Sequence, residues 1–241
     1  MGRGVMKRSE ENSGPDSESF AVSAFRTCSS AFAMPSVNFR LLLVSDRHQT
    51  GSRSLLSVLK QAVEAGVPAI QLRERDLPTP EMLLLAQELQ AITAAHAIPL
   101  IVNDRVDLVL ALNLDGVHLR ANSLPVSAAR RLVGAYRLVG ISTHSVEEVR
   151  RANQDGADYV VFGPIFDTPS KRPFGPPVGL GALTDVCRQS TIPVFAIGGM
   201  TSARVQDVRR AGAHGVAVIG AVLARDDVAA ATSELLVSLK P

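Results

Sequence analysis

Tryptophan is absent, aromatic residues make up only 4% of the chain, and cysteine occurs twice in 241 residues. Cys28 and Cys187 lie far apart with no framework spacing, which excludes a disulfide-stapled secreted module and fits reduced thiols in the cytoplasm. No run approaches the roughly 20 uninterrupted apolar residues of a membrane-spanning helix. Charge of one sign is also lacking: 25 Lys and Arg stand against 23 Asp and Glu. The basic residues are scattered and form no stripe that could track a phosphate backbone. Neither a membrane nor a nucleic acid is therefore an expected partner. What is plentiful is apolar sequence, at 46%, enough for one sizeable core in one large domain or two small ones.

The first residues stand apart. They are rich in Ser, Glu and small residues without an apolar period, so they cannot repay the entropy of ordering. The expectation is a disordered tail over residues 1–37 and a single folded domain over 38–241. A secretory leader would need an unbroken apolar stretch, and Arg26, Thr27, Ser29 and Ser30 interrupt the only candidate. Met34, just ahead of the first strand, is an alternative translation start.

From there short apolar runs alternate with helical patterns. Arg40–Ser45, Ala69–Leu72, Pro99–Val102, Gly116–Leu119, Arg137–Ile141, Asp158–Phe162, Pro193–Ile197 and Gly215–Ile219 read as strands. Runs this continuously apolar suit a parallel sheet covered by helices. Leu55–Ala65 and Pro80–Ala95 carry helical spacing. A weak repeat supports the order: Gly66, Gly156 and Gly212 each close a helix just before a strand, in the place of a left-handed C-cap. Eight β-then-α units in about 200 residues predict an α/β fold of the (β/α)₈ TIM-barrel type. An open doubly wound sheet is the alternative, but the turn after the first strand, Asp46-Arg-His-Gln-Thr-Gly, lacks its glycine fingerprint.

In such a barrel the chemistry lies where the strands end at their C-termini. Past the second strand, Gln71, Arg73 and Arg75 alternate with Leu72 and Glu74, so two guanidiniums and an amide point inward. A salt-bridged mouth is one reading; two inward cations awaiting a phosphate or pyrophosphate is the other. Asn103-Asp104 ends the third strand as an oxygen pair suited to Mg²⁺ with substrate phosphates, or Asp104 caps the next helix. His118, inside an apolar strand, reads first as a packed core residue. His144 follows Ser142 and precedes a helix, a more exposed place for acid/base work.

The sixth loop, Gly163 to Gly179, is long and proline-rich, flanked by glycines. It reads as a lid carrying Thr168 and Lys171 over a bound anion, with a passive connector as the alternative. Ile197-Gly-Gly-Met-Thr, with Gly198 and Gly199, is expected to open a helix with backbone N–H groups toward a ligand. With Ile219-Gly220 it would form the phosphate cup of the fold.

Several segments in combination resemble the thiamine phosphate synthase family, which also contains thiazole tautomerases. They are Gln71-Leu-Arg-Glu-Arg, Val102-Asn-Asp-Arg-Val-Asp, Asp115-Gly-Val-His-Leu, Gly140-Ile-Ser-Thr-His, Gly156-Ala-Asp-Tyr-Val, Gly163-Pro-Ile-Phe-Asp-Thr-Pro-Ser-Lys and Ala196-Ile-Gly-Gly. The likeness spans about residues 40 to 235. It implies a TIM barrel that condenses a hydroxymethylpyrimidine pyrophosphate with a thiazole phosphate, using Mg²⁺ and releasing pyrophosphate. It implies that Gln71, Arg73, Arg75, Asn103 and Lys171 hold the pyrimidine pyrophosphate and that Asp104 binds Mg²⁺. Ser142 would lie near the leaving group, and Thr168, Gly199 and Val218-Ile219 would hold the thiazole phosphate. His118 and Gly198 join the binding set; Ser142, His144 and Lys171 are the candidate catalytic residues. A homo-oligomer stays open.

The chain departs from the synthase pattern in one informative place. After His118-Leu119 the family usually reads Gly-Gln-x-Asp, whereas this chain has Arg120-Ala-Asn-Ser, so Ser123 stands where a second metal carboxylate is expected. Arg75 likewise replaces a usual Lys. Both features occur in the tautomerase branch, where a histidine at the position of His144 is thought to move a proton. Gln71, Asn103 and Asp104 argue for the synthase, which is the reading preferred. A barrel that binds phosphorylated ligands without turnover is the third alternative.

Overall fold

The computed structural model describes residues 1, 36–169, 172 and 175–240. Nearly all of the expected tail falls outside them, as does Lys171. Eight strands follow in chain order: β1 (Leu41–Val44), β2 (Ile70–Leu72), β3 (Leu100–Asn103), β4 (Gly116–Leu119), β5 (Leu138–Thr143), β6 (Tyr159–Phe162), β7 (Val194–Ala196) and β8 (Gly215–Val218). Each pairs in parallel with the next, and β8 returns to β1 with Leu41 opposite Val216, so the barrel is closed. Closure excludes the open doubly wound sheet. All eight runs read from the sequence are strands, and β5 extends two residues further, through Ser142 and Thr143.

The helices between them are α1 (Leu55–Glu64), α2 (Thr79–Ala95), α3 (Val106–Ala111), α4 (Val126–Val133), α5 (Val146–Asp155), α6 (Gly179–Gln189) and α7 (Ser202–Arg210). A short α8 (Gly220–Leu223) and the outer α9 (Val228–Ser238) follow β8, and α9 packs beside α1 and α7 to complete the ring. Local chemistry sets these limits. The Ser145 side chain accepts from the Glu148 N–H at the start of α5, with Glu147 and Glu148 in the first turn where the helix dipole favours acids. Gly66, Gly156 and Gly212, at φ 89°, 88° and 99°, take the left-handed positions that end α1, α5 and α7.

The strands are apolar throughout because both faces are buried. On β1, Leu41 and Leu43 pack against the helices while Leu42 and Val44 point into the barrel. The lower half of the interior is plugged by aromatic rings. Phe39 lies 5.3 Å from Phe195, and Tyr159 lies 5.6 Å from Phe195 edge-on, centroid to centroid. Polar residues occupy the other half, at the C-terminal ends of the strands.

Candidate active site

At that end a cavity of about 630 Å³ is lined by seven of the strands and by the segment after β7. Strand β2 supplies Gln71, with Arg73 and Arg75 beyond it, all lining the cavity. The alternation is locked from behind. Glu74 points away, accepts from Ser45 Oγ at 2.6 Å and from the Arg47 N–H at 3.1 Å, while Ser45 Oγ accepts from the Arg73 N–H at 2.8 Å. The outward acid thereby fixes which way the two arginines face.

Arg120, at the end of β4, joins them. Among the described residues Arg73 and Arg75 make no ion pair, whereas Arg120 Nε bonds the Asp104 carboxylate. Arg75 holds its proton less tightly than a free guanidinium, first through burial and then through Arg73 and Arg120, against the pull of Asp104 and Asp46. Three guanidiniums against the carboxylates of Asp104 and Asp46 leave a surplus of positive charge that an anion would relieve. Of these three arginines only Arg120 is salt-bridged among the described residues.

Asp104 corrects one expectation. It does not cap α3: the N-cap is Arg105, which makes no side-chain capping bond. Asp104 instead adopts φ 60°, a left-handed conformation that Asp tolerates better than most residues. This turns its carboxylate toward β4, where Arg120 Nε and Ser123 Oγ donate to it. Asn103 Nδ2 donates to it at 3.1 Å, and Asn103 Oδ1 accepts from Gln71 Nε2 at 3.3 Å. A continuous polar line therefore runs Gln71–Asn103–Asp104. Asp104 itself stands just behind the cavity wall.

Strands β4 and β5 bring His118, Ser142 and His144 to the same space. His118 is 2% exposed, so its expected core placement holds, yet its ring also reaches the cavity side. Its Nε2 lies 2.9 Å from Ser142 Oγ and its Nδ1 3.2 Å from the Tyr159 hydroxyl. Burial pushes its pKa down to about 3, opposed by Asp104 and reinforced by Arg73, so the imidazole is neutral. His144 is exposed, with Nδ1 2.6 Å from the Gly163 carbonyl oxygen.

The opposite wall is backbone. Gly163, Pro164, Thr168 and Pro169 face Gly198 and Gly199, with Val218, Ile219 and Gly220 beside them. A side chain at Gly198 would stand 2.6 Å from Pro164 Cβ, and one at Gly199 2.8 Å from the Asp167 carbonyl oxygen; φ is 98° and 62°. Only glycine lets these loops approach so closely. The segment leads into α7 as the sequence suggested, with Thr201 at the N-cap and Ser202 the first helical residue; the two left-handed glycines lie ahead of the first turn. Lys171 falls outside the described residues, whereas Thr168 of the same loop lines the cavity.

Every other residue singled out as binding or catalytic therefore lines one cavity, with Asp104 immediately behind it. Sequence reasoning passed over Arg120 and Tyr159. The two-residue period that exposes Arg73 and Arg75 also relates Arg120 to His118, so Arg120 was findable. Tyr159, within an apolar strand, gave no signal.

Comparison with known proteins is consistent with this geometry. A family model described as thiamine monophosphate synthase matches residues 41–222. The thiamine-phosphate synthase of Roseiflexus castenholzii is 45% identical over 201 residues, covering 83% of this chain and 88% of that protein. A putative thiamine-phosphate synthase of Geobacter sulfurreducens is 43% identical over 208 residues, covering 86% and 98%. Among solved structures, a thiamine phosphate pyrophosphorylase from Pyrococcus furiosus superposes with a TM-score of 0.76 at 33% identity, covering 83% of this chain and 95% of that one. A 3-hexulose-6-phosphate synthase, at 19% identity and TM-score 0.60, shares the fold.

Proposed function

Because the chain belongs to the thiamine monophosphate synthase family, we propose that it condenses a hydroxymethylpyrimidine pyrophosphate with a thiazole phosphate to give thiamine phosphate and pyrophosphate. The observation that carries this reading is the pairing of an arginine wall with a glycine wall across one cavity of about 630 Å³, room for two phosphorylated heterocycles side by side. Arg73, Arg75 and Arg120 gather the pyrophosphate, and Gln71 and Asn103 offer amides to the pyrimidine half. Thr168, Gly198, Gly199 and the backbone at Val218-Ile219 receive the thiazole phosphate. His118 and Ser142 face the junction between them. Lys171, by the family resemblance, reaches the pyrophosphate.

Breaking the carbon–oxygen bond builds negative charge on the departing pyrophosphate. Fixed guanidiniums aimed at that charge lower the barrier because they need no rearrangement as it develops. Holding the thiazole nitrogen against the pyrimidine carbon supplies the remaining advantage, by proximity.

The donor set around Asp104 fits Mg²⁺ only together with substrate. Among the described residues no group of three metal-ligating side chains occurs, but one carboxylate touched by a hydroxyl suffices when phosphate oxygens fill the other positions. Asp104, with Ser123 beside it, would hold the ion after exchanging Arg120 for it. Bound there, Mg²⁺ would supply further charge stabilisation to the leaving pyrophosphate. The reading extends to a cytoplasmic enzyme, which the two distant cysteines support; among the described residues no helix is long and apolar enough to cross a membrane.

A second reading, thiazole tautomerase, is favoured by one observation: Ser123 and Arg120 occupy the Asp104 carboxylate where a second acid would otherwise strengthen a metal site. The deciding experiment incubates the purified protein with both substrates and Mg²⁺ and measures thiamine phosphate, with Asp104→Ala and Ser123→Asp alongside. Product from the unmodified chain, lost in Asp104→Ala, is the expected result. Product only from Ser123→Asp would favour the tautomerase. Calorimetric binding of both substrates with no product from any variant would favour a binding protein.

A further inference from the structure

Three adjacent strands hold a polar relay that the proposed reaction does not yet explain. In the sheet register His118 on β4 lies opposite Gly140 on β5, and Gly140 lies opposite Tyr159 on β6. A side chain at Gly140 would stand 2.1 Å from Tyr159 Cζ. Its absence lets the Tyr159 hydroxyl cross over β5 and reach His118 Nδ1 at 3.2 Å, while His118 Nε2 meets Ser142 Oγ at 2.9 Å. Tyr159 is 0% exposed and fills the space between the aromatic plug and the cavity floor.

We propose that Tyr159 is a positioning residue: by donating to His118 Nδ1 it keeps the imidazole proton on Nε2, so that Ser142 accepts from His118 and aims its own proton into the cavity as a hydrogen-bond donor to substrate. Among the described residues the Tyr159 hydroxyl has one partner, His118 Nδ1. Were Nδ1 to carry a proton, the tyrosine oxygen would accept and its own hydrogen would be buried without an acceptor, a cost that folded chains avoid. Nδ1 must therefore offer its lone pair, and the ring hydrogen sits on Nε2. Ser142 Oγ, the atom facing Nε2, accepts that hydrogen. Its own O–H is then free to point toward the ligand, because Ser142 lines the cavity. With the opposite tautomer Ser142 would donate to the histidine and present only lone pairs, which repel an anionic leaving group. One buried phenol on β6 thus sets, through a histidine on β4, the polarity of a hydroxyl on β5.

The functional half of this inference rests on the synthase reading; the tautomer does not. In ligand-free protein labelled with ¹⁵N-histidine, long-range ¹H–¹⁵N correlation at pH 7 should show His118 with Nε2 protonated and Nδ1 bare. The signal is assigned by its loss in His118→Gln. The opposite tautomer, or an imidazolium, overturns the proposal. Ser142→Ala should leave the tautomer unchanged, since Tyr159 remains, whereas Tyr159→Phe should populate both tautomers. In the thiamine phosphate assay Tyr159→Phe should lower kcat about tenfold with KM within about twofold, less than the roughly hundredfold expected for removing a donor outright. Adding Tyr159→Phe to Ser142→Ala should slow the enzyme no further, because the tyrosine acts through the serine. Multiplying effects would indicate a merely structural tyrosine and overturn the assignment. If no thiamine phosphate forms, the synthase reading falls while the tautomer measurement still decides the relay. If Tyr159→Phe does not fold, the spectra of the unmodified chain and of Ser142→Ala decide it.

Discussion

Arg73 and Arg75 reach the cavity because Leu72 and Glu74 take the other face of their strand, and Glu74 is anchored to Ser45 and Arg47. Replacing Arg73 with Gln should lower kcat/KM for the pyrimidine pyrophosphate by roughly a hundredfold, about 3 kcal/mol of transition-state stabilisation, in steady-state assays. His118 makes a prediction of a different kind. Its folded pKa, about 3, lies below its ordinary 6.5, so the unfolded chain binds the extra proton. Stability is fully present above pH 6.5 and falls as the pH drops from there toward 3. Between pH 7 and 5 this residue should remove about 2 kcal/mol of unfolding free energy in denaturant titrations. His118→Gln should flatten that part of the profile. His214, pushed the same way by burial, adds a drop that the variant retains. These residues were legible because alternation along a strand is a strict rule of geometry. Tyr159 was not, since nothing in a run of apolar residues tells a packed phenol from one that works.

Among the elements, the strands and the glycine-closed helices followed directly from sequence, since both depend on local chemistry. The turn at Asp104 did not, because that residue is held left-handed by its neighbours in space. Gly140 shows the same dependence. Its place on β5 carries no local signal of a turn, yet it is the gap through which Tyr159 passes. Gly140→Ala should displace that ring and destabilise the fold by about 1–3 kcal/mol, the usual cost of overpacking, read as a lower denaturant midpoint. The same variant should disturb the His118 signal without touching Arg73 or Arg75.

For the whole molecule, the closed ring separates what holds the barrel together from what acts on ligand. Phe39, Tyr159 and Phe195 fill one end, and the cavity opens at the other. Phe195→Ala should cost about 3–5 kcal/mol, a fall in Tm of roughly 6–20 °C for a chain of this size. Below the melt, KM for both substrates should stay within about twofold of the unmodified enzyme, because Phe195 does not line the cavity. The barrel was readable from the count and order of apolar runs, and the cavity from what followed each run. The Arg120–Asp104–Ser123 contact was not readable, since it depends on the left-handed turn of Asp104 that aims its carboxylate at the loop after β4.

The pairing of β1 with β8, Leu41 against Val216 and Leu43 against Val218, also has a consequence for biosynthesis. The first strand leaves the ribosome long before its second neighbour has been translated. Until then one edge of a four-residue leucine-rich strand carries unmet hydrogen-bonding groups, and the nascent chain must keep that edge from other partners until the final turn of the cylinder arrives.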